Sequence, residues 1–289
     1  VEFVVERLLG LAATLSVGIT FGILFILFRE ALPFFEHVAL DEFFFGAQWS
    51  PLFSPPRYGI LPLLVGTLMT TFIACVFAVP AGIMVALLLS EYVPNRVRTW
   101  LKPVIELLAA IPSVVFGYFA LLVVTPWLQQ FIPGLQGFNR LGAGLVLGLL
   151  ILPYMASLSE DAFKSVPKSL REASYALGAN RFTTAFSVVI PSSFSGLSSA
   201  TILAVSRALG ETMVVAIAAG MLPSMSLNPL EPSATVTAYI VQVSMGDLPH
   251  DSIGYQSIFA AGLMLSLVTF SLNIIAYRIK LKRMERADG

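Results

Sequence analysis

The chain has 289 residues, of which 57% are hydrophobic and 12% charged, and its formal net charge is zero. A soluble domain carries roughly 25% charged residues, so water is excluded as the main solvent of this chain. With neither a basic excess nor a clustered basic face, a nucleic-acid partner is excluded as well.

Six stretches approach the roughly 20 apolar residues that a helix needs to cross about 30 Å of hydrocarbon. They cover residues 8–28, 60–89, 104–128, 141–158, 196–221 and 258–279. The expected architecture is an all-α integral membrane protein with six transmembrane helices in one domain over residues 1–289. The first stretch runs 21 residues without a charge. That exceeds the roughly 7 to 15 residues of a signal-peptide core, so a retained membrane helix is expected. Pro62 and Pro80 in the second stretch, Pro112 and Pro126 in the third and Pro153 in the fourth mark places for kinks. Cys75, the single cysteine, lies in an apolar run, allows no intrachain disulfide and reads as a small core residue.

Basic residues that flank membrane spans are retained on the cytoplasmic side. Alternate connecting segments hold Arg7; Arg96, Arg98 and Lys102; Lys164, Lys168, Arg171 and Arg181; and Arg278, Lys280, Lys282, Arg283 and Arg286. The other set holds Arg29, Arg57 and Arg140 alone, so both termini are expected in the cytoplasm. Two outer segments are long, 29–59 and 222–257, and either could dock an extracytoplasmic partner. Within the second, the apolar-leaning stretch 234–245 is expected to form a short helix lying at the outer interface. His37 and His250 have no second ligand at metal spacing, so no metal site is expected.

The segment between the fourth and fifth stretches, 159–195, contains SVPKSLREASYALGANRFTTAFSVVIP. Ser169 followed by Glu172 fits a capping box and predicts the start of a short helix. Leu170, Ala173 and Leu177 recur on one helical face, Gly178 suits a left-handed stop, and Asn180 suits the cap of a second helix. A helix of about two turns is marginal alone and needs a partner groove or the membrane domain to hold it. Glu172, Ala173, Ser174, Gly178, Val188, Ile190 and Pro191 resemble the EAA loop of ABC-importer permeases, with Ser174, Val188 and Ile190 as mild departures from its pattern. The resemblance implies that Ser169, Leu170, Glu172, Ala173, Ser174, Leu177 and Gly178 form a helix that inserts into a separate ATPase subunit. No segment matches the phosphate-binding pattern G-x-x-x-x-G-K-[ST], so ATP and Mg would be held by that partner and this chain would be a non-catalytic transport subunit.

In the fifth stretch, Arg207 and Glu211 stand four residues apart, which on a continuous helix places them on one face. Each charge costs about 2.5 to 3.5 kcal/mol at mid-bilayer on insertion scales, so they are expected to pair or to face a polar cavity. Arg207, whose planar fork can hold two oxygens, is the candidate substrate-pathway residue, with Glu211 as its partner or gate. Glu106, near the start of the third stretch, is a secondary candidate with an interfacial or helix N-terminal position.

S-R-A-L-G-E-T-M-V at 206–214, I-E-L-L-A-A-I-P-S-V-V-F-G at 105–117 and G-T-L-M-T-T-F-I-A at 66–74 are similar to the C-type permease subunit of phosphate-specific (Pst) ABC importers. What that implies is a type I permease of a bacterial or archaeal plasma (inner) membrane that moves inorganic phosphate inward. Its partners would be a second, PstA-like permease, two PstB-like ATPase subunits and an extracytoplasmic PstS-like phosphate-binding protein. A permease for another oxyanion, sulfate or molybdate, is the near alternative. An ion-coupled carrier using Arg207 and Glu211 as a charge relay leaves the EAA-like loop without a purpose, and a membrane scaffold leaves the buried charges without one.

Overall fold

The computed structural model describes residues 2–246 and 248–288, with the backbone alone for Glu2, Val4 and residues 282–288. The charges of Lys282, Arg283 and Arg286 therefore lie outside the described side chains. Helix α1 (Glu2–His37) is followed by the short α2 (Leu40–Phe45) and by α3 (Leu61–Leu87), which widens into a π turn at Leu88–Tyr92. Next come α4 (Asn95–Leu108), α5 (Ser113–Phe119), α6 (Thr125–Gln129) and the long α7 (Arg140–Ser165). Beyond it are α8 (Lys168–Ala176), α9 (Arg181–Thr184), α10 (Ile190–Ser192), α11 (Phe194–Leu209), α12 (Met213–Ala218), α13 (Val236–Ser244) and α14 (Ile253–Asp288).

Four helices, α1, α3, α7 and α14, are each long and apolar enough to cross a membrane, and there are six spans if each of two bent pairs counts as one. The bends correct the sequence-based boundaries. The third stretch, marked for a kink at Pro112 within 104–128, turns by 81° between α4 and the 113–129 helix. Pro112 is the cause, since it cannot donate a backbone bond and disfavours helical dihedrals at the residue before it. Likewise, the helical run 181–192 meets α11 at 72°, and the expected continuous helix over 196–221 stops at Leu209 with Gly210 as its cap. Pro62 makes no kink because it sits in the first turn of α3, where its missing N–H is not needed.

Two further prolines are accommodated by widened turns. The residues four before Pro126 and Pro191 lie in π turns at Ala120–Val124 and Ala185–Val189. A π turn relieves the clash between a proline ring and the carbonyl one turn back, so the chain continues as helix through both sites.

The centre of the bundle is the α3–α7 pair, which approaches closely because small residues face bulky ones. Gly144 lies against Ile73, Gly148 against Phe77 and Gly82 against Met155. In lipid such close packing supplies the dispersion energy that the hydrophobic effect cannot. Ala200 and Ala204 of α11 and Val214 of α12 complete this core. Along the outside, α1 packs with α14 and leaves Leu11, Leu15, Phe21 and Phe25 exposed, as a lipid-facing helix does.

At the end of the bundle opposite α8, aromatic side chains organise the connection between α1 and α3. Phe34 meets Phe43 and Tyr58 edge-on, and Trp49 meets Tyr239 of α13 at 4.9 Å between ring centroids. The short helix expected to lie at an interface is therefore packed inside, with Val236, Ala238, Tyr239 and Val243 buried. Its position follows from hydrogen bonding: the Val236 amide donates to Thr67 Oγ1 of α3 at 3.0 Å, and the Tyr239 hydroxyl lies 2.6 Å from Ser257 Oγ of α14.

Candidate functional site

The hairpin between α7 and α11 is built from local sequence chemistry. Pro167, preset at φ −56°, accepts the first helical bond through its carbonyl from the Leu170 amide, so helical geometry begins at Lys168. Ser169 is thus already the second residue of α8, and the expected Ser169–Glu172 capping box does not form. The stop is as the glycine predicts. Gly178 takes φ +84°, its amide donates to Tyr175 O at 2.9 Å, and the Ala179 amide donates to Ser174 O at 3.1 Å. These two bonds make a complete Schellman motif. Asn180 then caps α9, its Oδ1 accepting from the Thr183 amide at 2.8 Å.

On α8, Ser169, Leu170, Glu172, Ala173 and Leu177 are all exposed, with Leu177 exposed to 90%. Ser174 points the other way and shares a hydrogen bond with Thr184 at 2.9 Å, which closes the hairpin. Phe182 and Phe186 of the second limb stack at 4.5 Å and are exposed beside it. An amphipathic helix of nine residues thus presents an exposed apolar edge and an exposed carboxylate.

Arg207 and Glu211 do not sit on one helical face, because α11 ends between them, and no ion pair joins them. The Arg207 guanidinium lies instead over the ring of Tyr154, 4.7 Å from its centroid, on an exposed side of the bundle. Glu211 belongs to the break. Its carboxylate accepts from the Met213 amide at 3.2 Å, and its carbonyl accepts from Thr237 Oγ1 at 2.8 Å. Glu106 lies in the last turn of α4, not at a helix N-terminus, and accepts from Ser157 Oγ at 3.1 Å.

These contacts align. Tyr154, Ser157 and Asp161 follow one another at helical spacing on α7 and meet Arg207 of α11, Glu106 of α4 and Lys102 of α4 in turn, the last at 3.2 Å. The result is a polar line about 10 Å long on the side of α7, with Arg207 at its deep end, about 20 Å along α11 from Phe194. Hydrocarbon cannot cover it without leaving charge unsolvated, so this side of the chain faces protein or water.

Two charged residues with large structural roles were not singled out by sequence. Glu160 is fully buried and lies 2.7 Å from Arg98, 2.8 Å from Lys102 and 2.6 Å from Lys164, which ties α4 to α7. The i,i+4 spacing to Lys164 was a visible signal; the α4 partners were not. Arg140, counted as an outer-side flanking charge, is fully buried. Its guanidinium donates to the carbonyls of Ser226, of Asn228 at 3.1 Å, of Pro232 at 3.2 Å and of Ser224 at 3.4 Å. The amides of Arg140 and Leu141 donate to Glu231 O and Pro229 O, so the open N-terminus of α7 is satisfied by the same segment. Hydrogen bonds from Ser226 and Asn228 also hold the Glu231 carboxyl below the usual carboxylate range.

Residues 78–284 match the family described as binding-protein-dependent transport system inner membrane component. The chain is 36% identical over 265 residues to the Probable ABC transporter permease protein YqgH of Bacillus subtilis (strain 168), covering 91% of this chain and 84% of the relative. It is 33% identical over 268 residues to the Phosphate transport system permease protein PstC of Xylella fastidiosa (strain Temecula1 / ATCC 700964), covering 86% and 81%. Among solved structures, a bacterial alginate ABC transporter in complex with its alginate-bound periplasmic protein superposes with a TM-score of 0.65 at 16% identity, over 94% of this chain and 93% of that one. An inward-facing methionine transporter, MetNI, superposes with a TM-score of 0.57 at 16% identity, over 78% of this chain and 94% of that one. A bundle of bent spans, an exposed hairpin helix and a match over most of its length make the conclusion plain: the chain belongs to the binding-protein-dependent transport system inner membrane components, as a non-catalytic, multi-pass permease subunit of an ABC importer.

Proposed function

We propose that this chain is the C-type permease of an ATP-driven importer of inorganic phosphate, with both termini in the cytoplasm. The observation that carries the proposal is the bare edge of α8, Leu170, Glu172, Ala173 and Leu177, on the same chain as an exposed guanidinium inside a span. The edge suits the groove of an ATPase subunit. Arg207 suits an oxyanion, because a guanidinium stacked on Tyr154 keeps its in-plane N–H donors free. Relatives named as phosphate transport permeases support phosphate over other oxyanions. In this reading the chain pairs with a PstA-like permease along the polar side of α7. Two PstB-like subunits hold ATP and Mg, and a PstS-like protein delivers phosphate. Glu211, fixed at the break after α11, lines the same path. The biased distribution of Lys and Arg supports the orientation.

The test is uptake of labelled phosphate into vesicles holding this chain with all of those partners. Arg207→Ala is expected to retain the ATPase and to lose uptake by about 10- to 100-fold, the worth of one charge-assisted hydrogen bond. Glu172→Arg is expected to lose the ATPase from the purified complex, and uptake with it. Competition by sulfate or molybdate at concentrations well below those at which unlabelled phosphate competes would reassign the substrate. Uptake that needs no ATPase would overturn the importer mechanism for this chain.

A further inference from the structure

Among the described residues of α8, Arg171 makes the polar contacts that leave the hairpin. Its side chain is 16% exposed and that of its partner, Glu91, 8%. Nη2 lies 3.0 Å from Glu91 Oε1, and Nε lies 3.4 Å from Oε2, a two-point grip on a carboxylate. Nη1 donates to Val166 O at 2.5 Å and Nη2 to Phe163 O at 2.7 Å, at the end of α7. Glu91 sits in the π turn that ends α3, where Ser90 Oγ also donates to it at 2.7 Å. Two residues further on, Val93 and Pro94 lead into α4. One guanidinium therefore joins α8 to the ends of α3 and α7, while Ser174 joins α8 only to its own hairpin.

We infer that Arg171 is a positioning residue of the transport cycle: it passes displacement of α8 to α3 and α7 through the Glu91 carboxylate and the Phe163 and Val166 carbonyls. The inference rests on the proposed docking of α8 in an ATPase. A flexible tether would let α8 follow the ATPase without moving the spans. A planar fork held at four points, largely out of water, does not slide, and neither partner is solvated if the other withdraws. The exposed face of α8 binds; Arg171, on the opposite face, transmits.

The experiment uses the full complex in vesicles and reads the phosphate imported per ATP hydrolysed, together with retention of the ATPase on purification. Arg171→Gln and Glu91→Gln are each expected to keep the ATPase bound while the ratio falls about tenfold, within the range of ordinary coupling free energies. Because both remove one interaction, the double variant is expected to be no worse than the worse single, and Arg171→Lys to be intermediate. Unchanged ratios in both single variants, effects that multiply in the double, or loss of the ATPase from both single variants would overturn the inference. Should Arg171→Gln fail to accumulate, Glu91→Gln, which lies outside the hairpin, decides. Wild-type uptake without ATP is a separate result, and it overturns the importer reading instead.

Discussion

Arg140→Met is expected to destabilise the chain by about 3 kcal/mol or more, since it strips a buried donor from several carbonyls at once and each unsatisfied group costs about 1–3 kcal/mol. The affected carbonyls belong to Ser224, Ser226, Asn228 and Pro232, and the segment they define covers the start of α7. A lower unfolding temperature in detergent is expected, together with new proteolytic cleavage within 221–235. Arg140→Lys is expected to rescue little, because a compact ammonium cannot fan out to carbonyls that span nine residues of chain. Resistance of 221–235 to protease in Arg140→Met would show that the Arg140 and Leu141 amides suffice to hold the segment.

Glu160→Gln is expected to have a comparable effect at the other end of α7. The fully buried carboxylate compensates Arg98, Lys102 and Lys164, whose side chains stay 23%, 25% and 35% exposed, so its removal is expected to cost about 2–3 kcal/mol, below the range for a wholly buried pair. Asp161, exposed and 3.2 Å from Lys102, can neutralise only that one cation. Part of the loss is expected to return in the double variant Glu160→Gln/Lys164→Gln, which restores the local charge balance, and thermal unfolding of the set reads the coupling directly. Additive losses in the double variant would mean that Lys164 stabilises through packing of its stem and not through the carboxylate.

The membrane class and the hairpin with its Gly178 stop and Asn180 cap were legible in the sequence. Each depends on neighbours within a few residues: a long apolar run, a glycine at a helix end, an asparagine three residues before an amide it can cap. Legibility failed where two local signals competed. Ser169 and Glu172 have the spacing of a capping box, yet Pro167, two residues earlier, already starts the helix. Arg207 and Glu211 have the spacing of a helical pair, yet the helix ends between them at Leu209.

What the sequence by itself determined is therefore the solvent, the family resemblance and the place where α8 is presented, all carried by composition and short-range backbone chemistry. Only the tertiary structure decided that Arg140 is a buried clamp, that Glu160 anchors α4, that Arg207 rests on Tyr154 and that Arg171 reaches Glu91. Those contacts join residues about 50 to 90 positions apart, most of them across helices that meet only after the bundle has packed. A charge in a chain this apolar must find a partner, but the partner is set by which helix faces pack, and packing is a property of the whole bundle.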